Sequence, residues 1–206
     1  MTRSTAKTTA KKAPQNETRK QIHQVAEELF TTRGYSAVTL RDIAEAVGMR
    51  HASLYYYAPG GKEQLYLDVM KQNFERHRVG MTEAIENAGD DIREQVHAVA
   101  QWLVSQPPLD LTRMQQADMP AIDPMQAGML MKLAIDSLTT PLKTALTAAK
   151  EAGTVEIDNV GMATMALVTL MQSVHNIPEE HRAEGLPYFG RELADMLLFG
   201  WVKREE

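Results

Sequence analysis

The densest group of side chains able to do chemistry in this 206-residue chain lies between Arg50 and Tyr57. Arg50 offers a planar guanidinium that pairs bidentately with guanine or with phosphate. His51 and Ser53 can reach base edges or phosphate oxygens, and Ala52 permits close approach or contact with a thymine methyl. Tyr55, Tyr56 and Tyr57 supply three phenols able to donate to phosphate, although any one of them can equally be a packed ring. Thr39 and Lys62 fall at helix starts, where free backbone amides and the helix dipole favour an anion. These groups suit reversible recognition of a polyanion. Bond-making chemistry has no comparable set. The six histidines (23, 51, 77, 97, 175 and 181) form no pair at metal-ligand spacing with a carboxylate. No phosphate-cradling glycine loop and no nucleophile elbow is present. Catalytic residues, bound metals and cofactors are therefore not expected. The absence of cysteine excludes disulfides and thiolate sites.

The recognition residues need a scaffold, and the apolar spacing provides one. Ile22, Val25, Ala26, Leu29 and Phe30 follow the i, i+3, i+4, i+7, i+8 pattern of an amphipathic helix. Asn16 is placed to cap its start and Gly34 to close it. Leu40, Ile43, Ala44 and Val47 form a second, short helix, with Thr39 and Asp42 as a capping box. Gly48 supplies the positive φ of the next turn. A third short helix spans His51 to Tyr57, stopped by Ala58-Pro59-Gly60-Gly61. Ala44 is small enough for two helices to cross closely, and Ile43, Val47, Met49 and Leu54 are the inward apolar residues. Leu40 to Tyr57 thus meets the demands of a helix-turn-helix, whose second helix enters a major groove of DNA.

Beyond Lys62 the chain reads as helix almost throughout. The expected helices run from Lys62 to about Arg78, from Asp91 to Ser105 and, briefly, from Leu109 to Asp118. A long one follows from Pro124 toward Gly153, kinked near Pro141. Another, capped by Asp158, runs from about Asn159 to His175, and the last has Pro187 in its first turn and reaches about Lys203. The fold class is all-α, an N-terminal three-helix DNA-binding domain over residues 16–61 and a C-terminal helical domain over 62–206. Residues 1–15, which hold Arg3, Lys7, Lys11 and Lys12 and no acidic residue, read as a disordered basic arm. The formal net charge is −5, but its distribution is uneven. Up to Leu65 there are ten Lys and Arg against six Asp and Glu; from Tyr66 on there are twelve against 21. A basic front on an acidic body is expected where only one end meets phosphate. No apolar run is long enough to span a membrane, and the first fifteen residues lack the apolar stretch of a secretory signal. A cytoplasmic location is expected.

The stretch Phe30 to Leu65, FTTRGYSAVTLRDIAEAVGMRHASLYYYAPGGKEQL, resembles the N-terminal signature of the TetR family of repressors. The resemblance rests on Arg33-Gly34-Tyr35, Thr39, Asp42-Ile43-Ala44, Val47-Gly48, Leu54-Tyr55 and Lys62-Glu63. It covers about 50 residues, near a quarter of the chain, and implies DNA contacts at Thr39, His51, Ser53, Tyr55, Tyr57 and Lys62. It also implies a C-terminal domain that binds a small molecule and dimerises. Arg50 and His51 depart from the residues frequent there, which bears on base preference and leaves the fold unaffected.

The body offers candidates for both tasks. The helix from Val160 to Val174 and the last helix, with Phe189, Leu193, Met196, Leu197, Leu198 and Trp201, are apolar on more than one face. They are expected to pair with their symmetry mates as a four-helix bundle; burial wholly inside one subunit is the alternative. Trp102, Met114, Met119, Met129, Leu133 and Met171 are candidate walls of an effector pocket, with Asp136, Gln172 and His175 as polar anchors. The effector would then be largely apolar, although methionines at helical spacing also serve as plain core. The resulting expectation is a homodimeric regulator, released from a palindromic DNA operator by a small molecule. An activator or an architectural DNA-binding protein is the alternative, and an enzyme a third.

Overall fold

The computed structural model describes residues 9–181 and 183–201, and every regular element among them is helical. They are α1 (Thr9–Arg33), α2 (Leu40–Val47), α3 (His51–Tyr57), α4 (Gly61–Asn87), α5 (Ile92–Ser105), α6 (Leu111–Arg113), α7 (Pro124–Glu151), α8 (Val160–Ser173) and α9 (Leu186–Trp201). A wide i→i+5 turn, Met114–Asp118, continues α6, and a tight turn, Met119–Ala121, follows it.

Several boundaries differ from the sequence reading. Residues 1–8, with Arg3 and Lys7, lie outside the described residues. Helix α1 begins at Thr9, so Asn16 sits inside it and caps nothing; Ala10, Lys11, Lys12 and Ala13 are strong helix formers and extend it backwards. Helix α4 runs past Arg78 to Asn87. Gly80 does not stop it, because the Trp102 ring lies where a side chain would stand. Asn159, not Asp158, caps α8, its carboxamide oxygen accepting from the Met162 amide at 3.0 Å. The short segment after Pro107-Pro108 becomes α-helical only at Leu111. Helix α7 continues through Pro141.

The chain divides into two compact units, and the division departs from a boundary at residue 61. The first unit runs to Asn73 and takes in Leu111–Leu130; the second comprises Phe74–Asp110 and the chain from Met131 on. Helices α4 and α7 therefore each contribute to both. In the first unit Ile22, Ala26, Phe30, Val38, Ile43, Ala44 and Leu54 are buried. Three rings join there: Phe30 meets Tyr66 edge-on at 5.1 Å, and Tyr35 meets Tyr66 at 5.0 Å. The start of α4 belongs to this core because Leu65, Tyr66 and Met70 are buried in it. In the second unit α5 packs on α8 and α9, through the buried residues Val96, Val99, Ala100, Leu103, Leu167, Val168, Ala194 and Leu198. Gly190 allows close approach there, since a Cβ on it would stand 3.1 Å from Val104.

Gly80 provides a test of this packing. An alanine in mid-helix is favoured over glycine by about 1 kcal/mol, yet its Cβ would fall 2.1 Å from Trp102 Cζ2. Overpacking of this kind costs about 1–3 kcal/mol. Gly80→Ala is therefore expected to lower the urea midpoint. With Trp102→Leu added, the double variant is expected to lose less than the sum of the two single losses. A Gly80→Ala chain more stable than the parent would refute this packing.

A candidate DNA interface

The helix-turn-helix is assembled from local signals that the structure bears out. Thr39 caps α2 from an extended conformation; its hydroxyl oxygen accepts from the Asp42 amide at 3.2 Å. The Asp42 carboxylate in return accepts from the Thr39 amide and from the Thr39 hydroxyl, both at 2.7 Å. These bonds hold the Asp42 carboxyl below its usual range, with small contributions from Arg33 and Arg41 in the same direction. Gly48 closes α2 with φ +75°, its amide donating to the Ala44 and Glu45 carbonyls. Ala44 is buried where expected; Ile43 and Leu54 are fully buried, while Val47 and Met49 are half-buried.

Helix α3 is seven residues long and Leu54 is its only buried residue. Arg50 stands at its N-cap without a side-chain capping bond. His51, Ala52, Ser53, Tyr55 and Tyr56 are exposed, and Tyr57 is half-buried. Tyr56 is 69% and Tyr55 50% exposed, so these two phenols are not core rings. His51 meets Tyr55 edge-on at 5.1 Å, and Tyr56 meets Tyr57 at 5.2 Å. The side chains singled out on α3 thus share one short helix, six of the seven outside the core.

Lys62 differs from a free phosphate clamp. Its ammonium donates to the Tyr35 carbonyl at 3.0 Å and lies 4.0 Å from the centre of the Tyr35 ring. The partners that hold Tyr35 from its other side were missed in the sequence. Asp118, 83 residues further on, accepts from the Tyr35 amide at 2.8 Å, and Arg113 donates to the Phe30, Thr31 and Thr32 carbonyls. No local pattern announces contacts across such a separation. Burial first, then the Asp118 carboxylate, raises the Tyr66 hydroxyl well above its usual range.

The expected pocket walls divide between the two units. Met114, Met119 and Met129 belong to the first unit, and Trp102, Leu133, Met171 and His175 to the second. Met129 is 59% exposed, while Met114, Met119 and Met171 are plain core; helical spacing does not distinguish these environments. Asp136 faces outward and pairs with Lys132 at 2.6 Å. Gln172 accepts from the Leu109 amide at 3.0 Å. The second unit instead has a cavity of about 560 Å³ walled by Ile85, Ile92, Pro141, Ala145 and Ala149, with Arg78, Glu86 and Asp90 among its polar groups. None of the nine expected residues lines it. Trp102 lines a separate opening of about 610 Å³, together with His97 and Arg191.

These features define an all-helical protein carrying a helix-turn-helix. Residues 22–69 match the model described as bacterial regulatory proteins, tetR family. A curated relative, the HTH-type transcriptional regulator LmrA of Bacillus subtilis (strain 168), is 34% identical over 74 residues, 36% of this chain. That match spans 39% of the length of LmrA. Among solved structures, a bacterial regulatory protein in the tetR family from Rhodococcus RHA1 superposes with a TM-score of 0.68 at 17% identity, over 92% of this chain and 99% of the other. The TetR family transcriptional regulator PfmR from Thermus thermophilus gives 0.66 at 21% identity, over 89% and 99%. Residues 22–69 are thus similar to the tetR family of bacterial regulatory proteins, and the chain shares the fold of those structures over 89–92% of its length.

The α2 cap makes stability depend on pH in a defined direction. A carboxyl held below its usual range stabilises the fold fully above the ordinary carboxylate region, and that contribution fades as pH falls through the folded value. Thr39→Ala is expected to cost about 1 kcal/mol at neutral pH. The stability gap between the parent chain and Asp42→Asn is expected to be widest near neutrality and to close below about pH 4. Melting curves from pH 3 to pH 7 check this; a gap independent of pH would contradict it.

Proposed function

We propose that the chain is a ligand-responsive DNA-binding transcription regulator, a repressor acting as a homodimer on a palindromic operator. The exposed face of α3 carries this reading. One buried leucine anchors the helix, while a guanidinium at its N-cap, an imidazole and two phenols at its surface stand free of the core. That face suits a major groove, with phosphate contacts from Thr39 and Lys62 and base or phosphate contacts from Arg50, His51, Ser53, Tyr55, Tyr56 and Tyr57. The family match over residues 22–69 supports a regulator rather than an enzyme.

Two further observations support the rest. On α8 and α9, Met162 (67%), Phe199 (66%) and Met196 (71%) are exposed beside half-exposed Met165 and Tyr188. Large apolar side chains left exposed on two packed helices suit a contact face, and a second copy would set two recognition helices about 34–36 Å apart, one helical turn of DNA. The effector reading rests on the second-unit cavity, whose volume lies within the usual range of small-molecule sites and whose walls are mostly apolar. Cytoplasmic residence follows from this function.

The assay is fluorescence anisotropy on a duplex recovered from a random-sequence pool with the parent chain. Arg50→Ala, His51→Ala and Tyr55→Ala are each expected to cost about 1–3 kcal/mol when they remove a base contact. Met196→Glu with Phe199→Glu is expected to give a monomer in sedimentation and to abolish preference for the palindrome over its half-site. A triple α3 variant that binds like the parent chain would defeat the proposal. For the effector, a thermal-shift screen of apolar compounds should yield ligands that stabilise the parent chain and weaken its DNA binding, with both effects lost in Ala145→Trp. Ligands that stabilise that variant equally would place the site elsewhere.

A further inference from the structure

Three bonds converge on one residue outside the recognition helix. The Tyr35 amide donates to Asp118 at 2.8 Å, its carbonyl accepts from Lys62 Nζ at 3.0 Å, and the same carbonyl accepts from the Val38 amide at 3.4 Å. Tyr35 is thus held between a carboxylate on its N–H side and an ammonium on its C=O side, and charge-assisted bonds of this kind are about twice as strong as neutral ones. The Val38 bond folds the chain directly into Thr39, the cap of α2. The preceding turn is clasped as well. Gly34 has φ +82°, and a Cβ on it would stand 3.0 Å from Asp118 Oδ1 and 3.4 Å from Arg113 Nε. Arg113 donates to the Phe30, Thr31 and Thr32 carbonyls at 3.3, 2.6 and 3.1 Å, in the last turn of α1 at the negative end of its dipole.

The backbone that carries these two side chains is itself unusual. Residues five apart on an α-helix point about 140° away from one another. The i→i+5 turn over Met114–Asp118, closed by the Met119 amide on the Met114 carbonyl, returns Arg113 and Asp118 to one side. Asp118 is 3% exposed, and a buried carboxylate requires such partners.

We infer that Asp118, assisted by Arg113, is a positioning residue for DNA binding: it fixes Tyr35 and thereby holds Lys62 and Thr39 where they grip phosphate. The inference rests on the DNA-binding reading above and adds to it residues outside the matched region. Lys62 has three donors; one on the Tyr35 carbonyl and the ring beneath leave two for a phosphate in a fixed position. Without the Asp118 bond Tyr35 loses its charged restraint on the N–H side, and the carbonyl that anchors the ammonium is held only by the weaker Val38 bond.

The test uses the full-length chain and a labelled duplex recovered from a random-sequence pool, titrated from 50 to 200 mM salt. Asp118→Leu is expected to weaken binding at least tenfold and to reduce the slope of log affinity against log salt by about one, as for the loss of one phosphate contact. Asp118→Asn, which retains an acceptor for the Tyr35 amide, should restore most of the affinity and the slope. In a Lys62→Gln background, Asp118→Leu should weaken binding by less than threefold more. Should Asp118→Leu fail to fold by circular dichroism, the partly exposed Arg113→Met is expected to show the same loss of slope. A folded Asp118→Leu or Arg113→Met chain with parental slope, or losses that add in full with Lys62→Gln, overturns the inference and leaves DNA binding standing. A parent chain that binds no duplex overturns both.

Discussion

A helix of seven residues closes too few internal hydrogen bonds to persist alone, so α3 exists only because something else holds it. That hold is the burial of Leu54, the one α3 side chain taken fully into the core. Full burial of a leucine contributes about 1.5–3 kcal/mol, and it orients the helix at the same time. With Leu54 pointing inward, His51, Ala52, Ser53, Tyr55 and Tyr56 are turned outward by helical geometry alone. The exposed face of α3 is therefore a consequence of one apolar anchor, and the neighbouring helices serve to build the site that receives it.

Around that anchor, polar bonds set angles where apolar burial sets only proximity. The Thr39–Asp42 box fixes where α2 starts, and the left-handed Gly48 fixes where it turns. The clasp on Tyr35 fixes how the chain enters α2 from α1. Apolar contacts tolerate small rotations; charge-assisted hydrogen bonds are directional and do not. The DNA-binding face proposed here would need the second kind, and the buried charge at Asp118, despite its desolvation cost, fits that need.

The second unit follows a different logic. Its core is aliphatic, from α5, α8 and α9, and a polar tie between its helices is the His97–Asp195 pair at 2.8 Å, joined by Arg93 at 3.2 Å. Burial raises the Asp195 carboxyl, while His97 and Arg93 lower it, and the balance leaves it below the usual range. That pair ties α5 to α9, the helix that also bears the exposed Met196 and Phe199. One helix thus carries both a polar tie to its own core and an apolar surface open to contact.

The amino-acid sequence by itself determined the local elements: the Thr39 cap, the Gly48 turn, the seven residues of α3 and the helical character of nearly all the rest. Each is decided by residues within one or two turns of one another, so each is legible in order along the chain. Only the tertiary structure decided that α4 continues past Arg78, because the Trp102 ring fills the gap at Gly80. It alone decided that the first unit extends through Asn73 and takes in Leu111–Leu130. The methionines show the same division, since Met129 and Met171 have equivalent helical spacing yet one faces solvent and the other is buried. The grip of Arg113 and Asp118 on the α1–α2 turn belongs there too: residues 83 positions apart meet only after the chain has folded, and nothing in local spacing encodes that encounter.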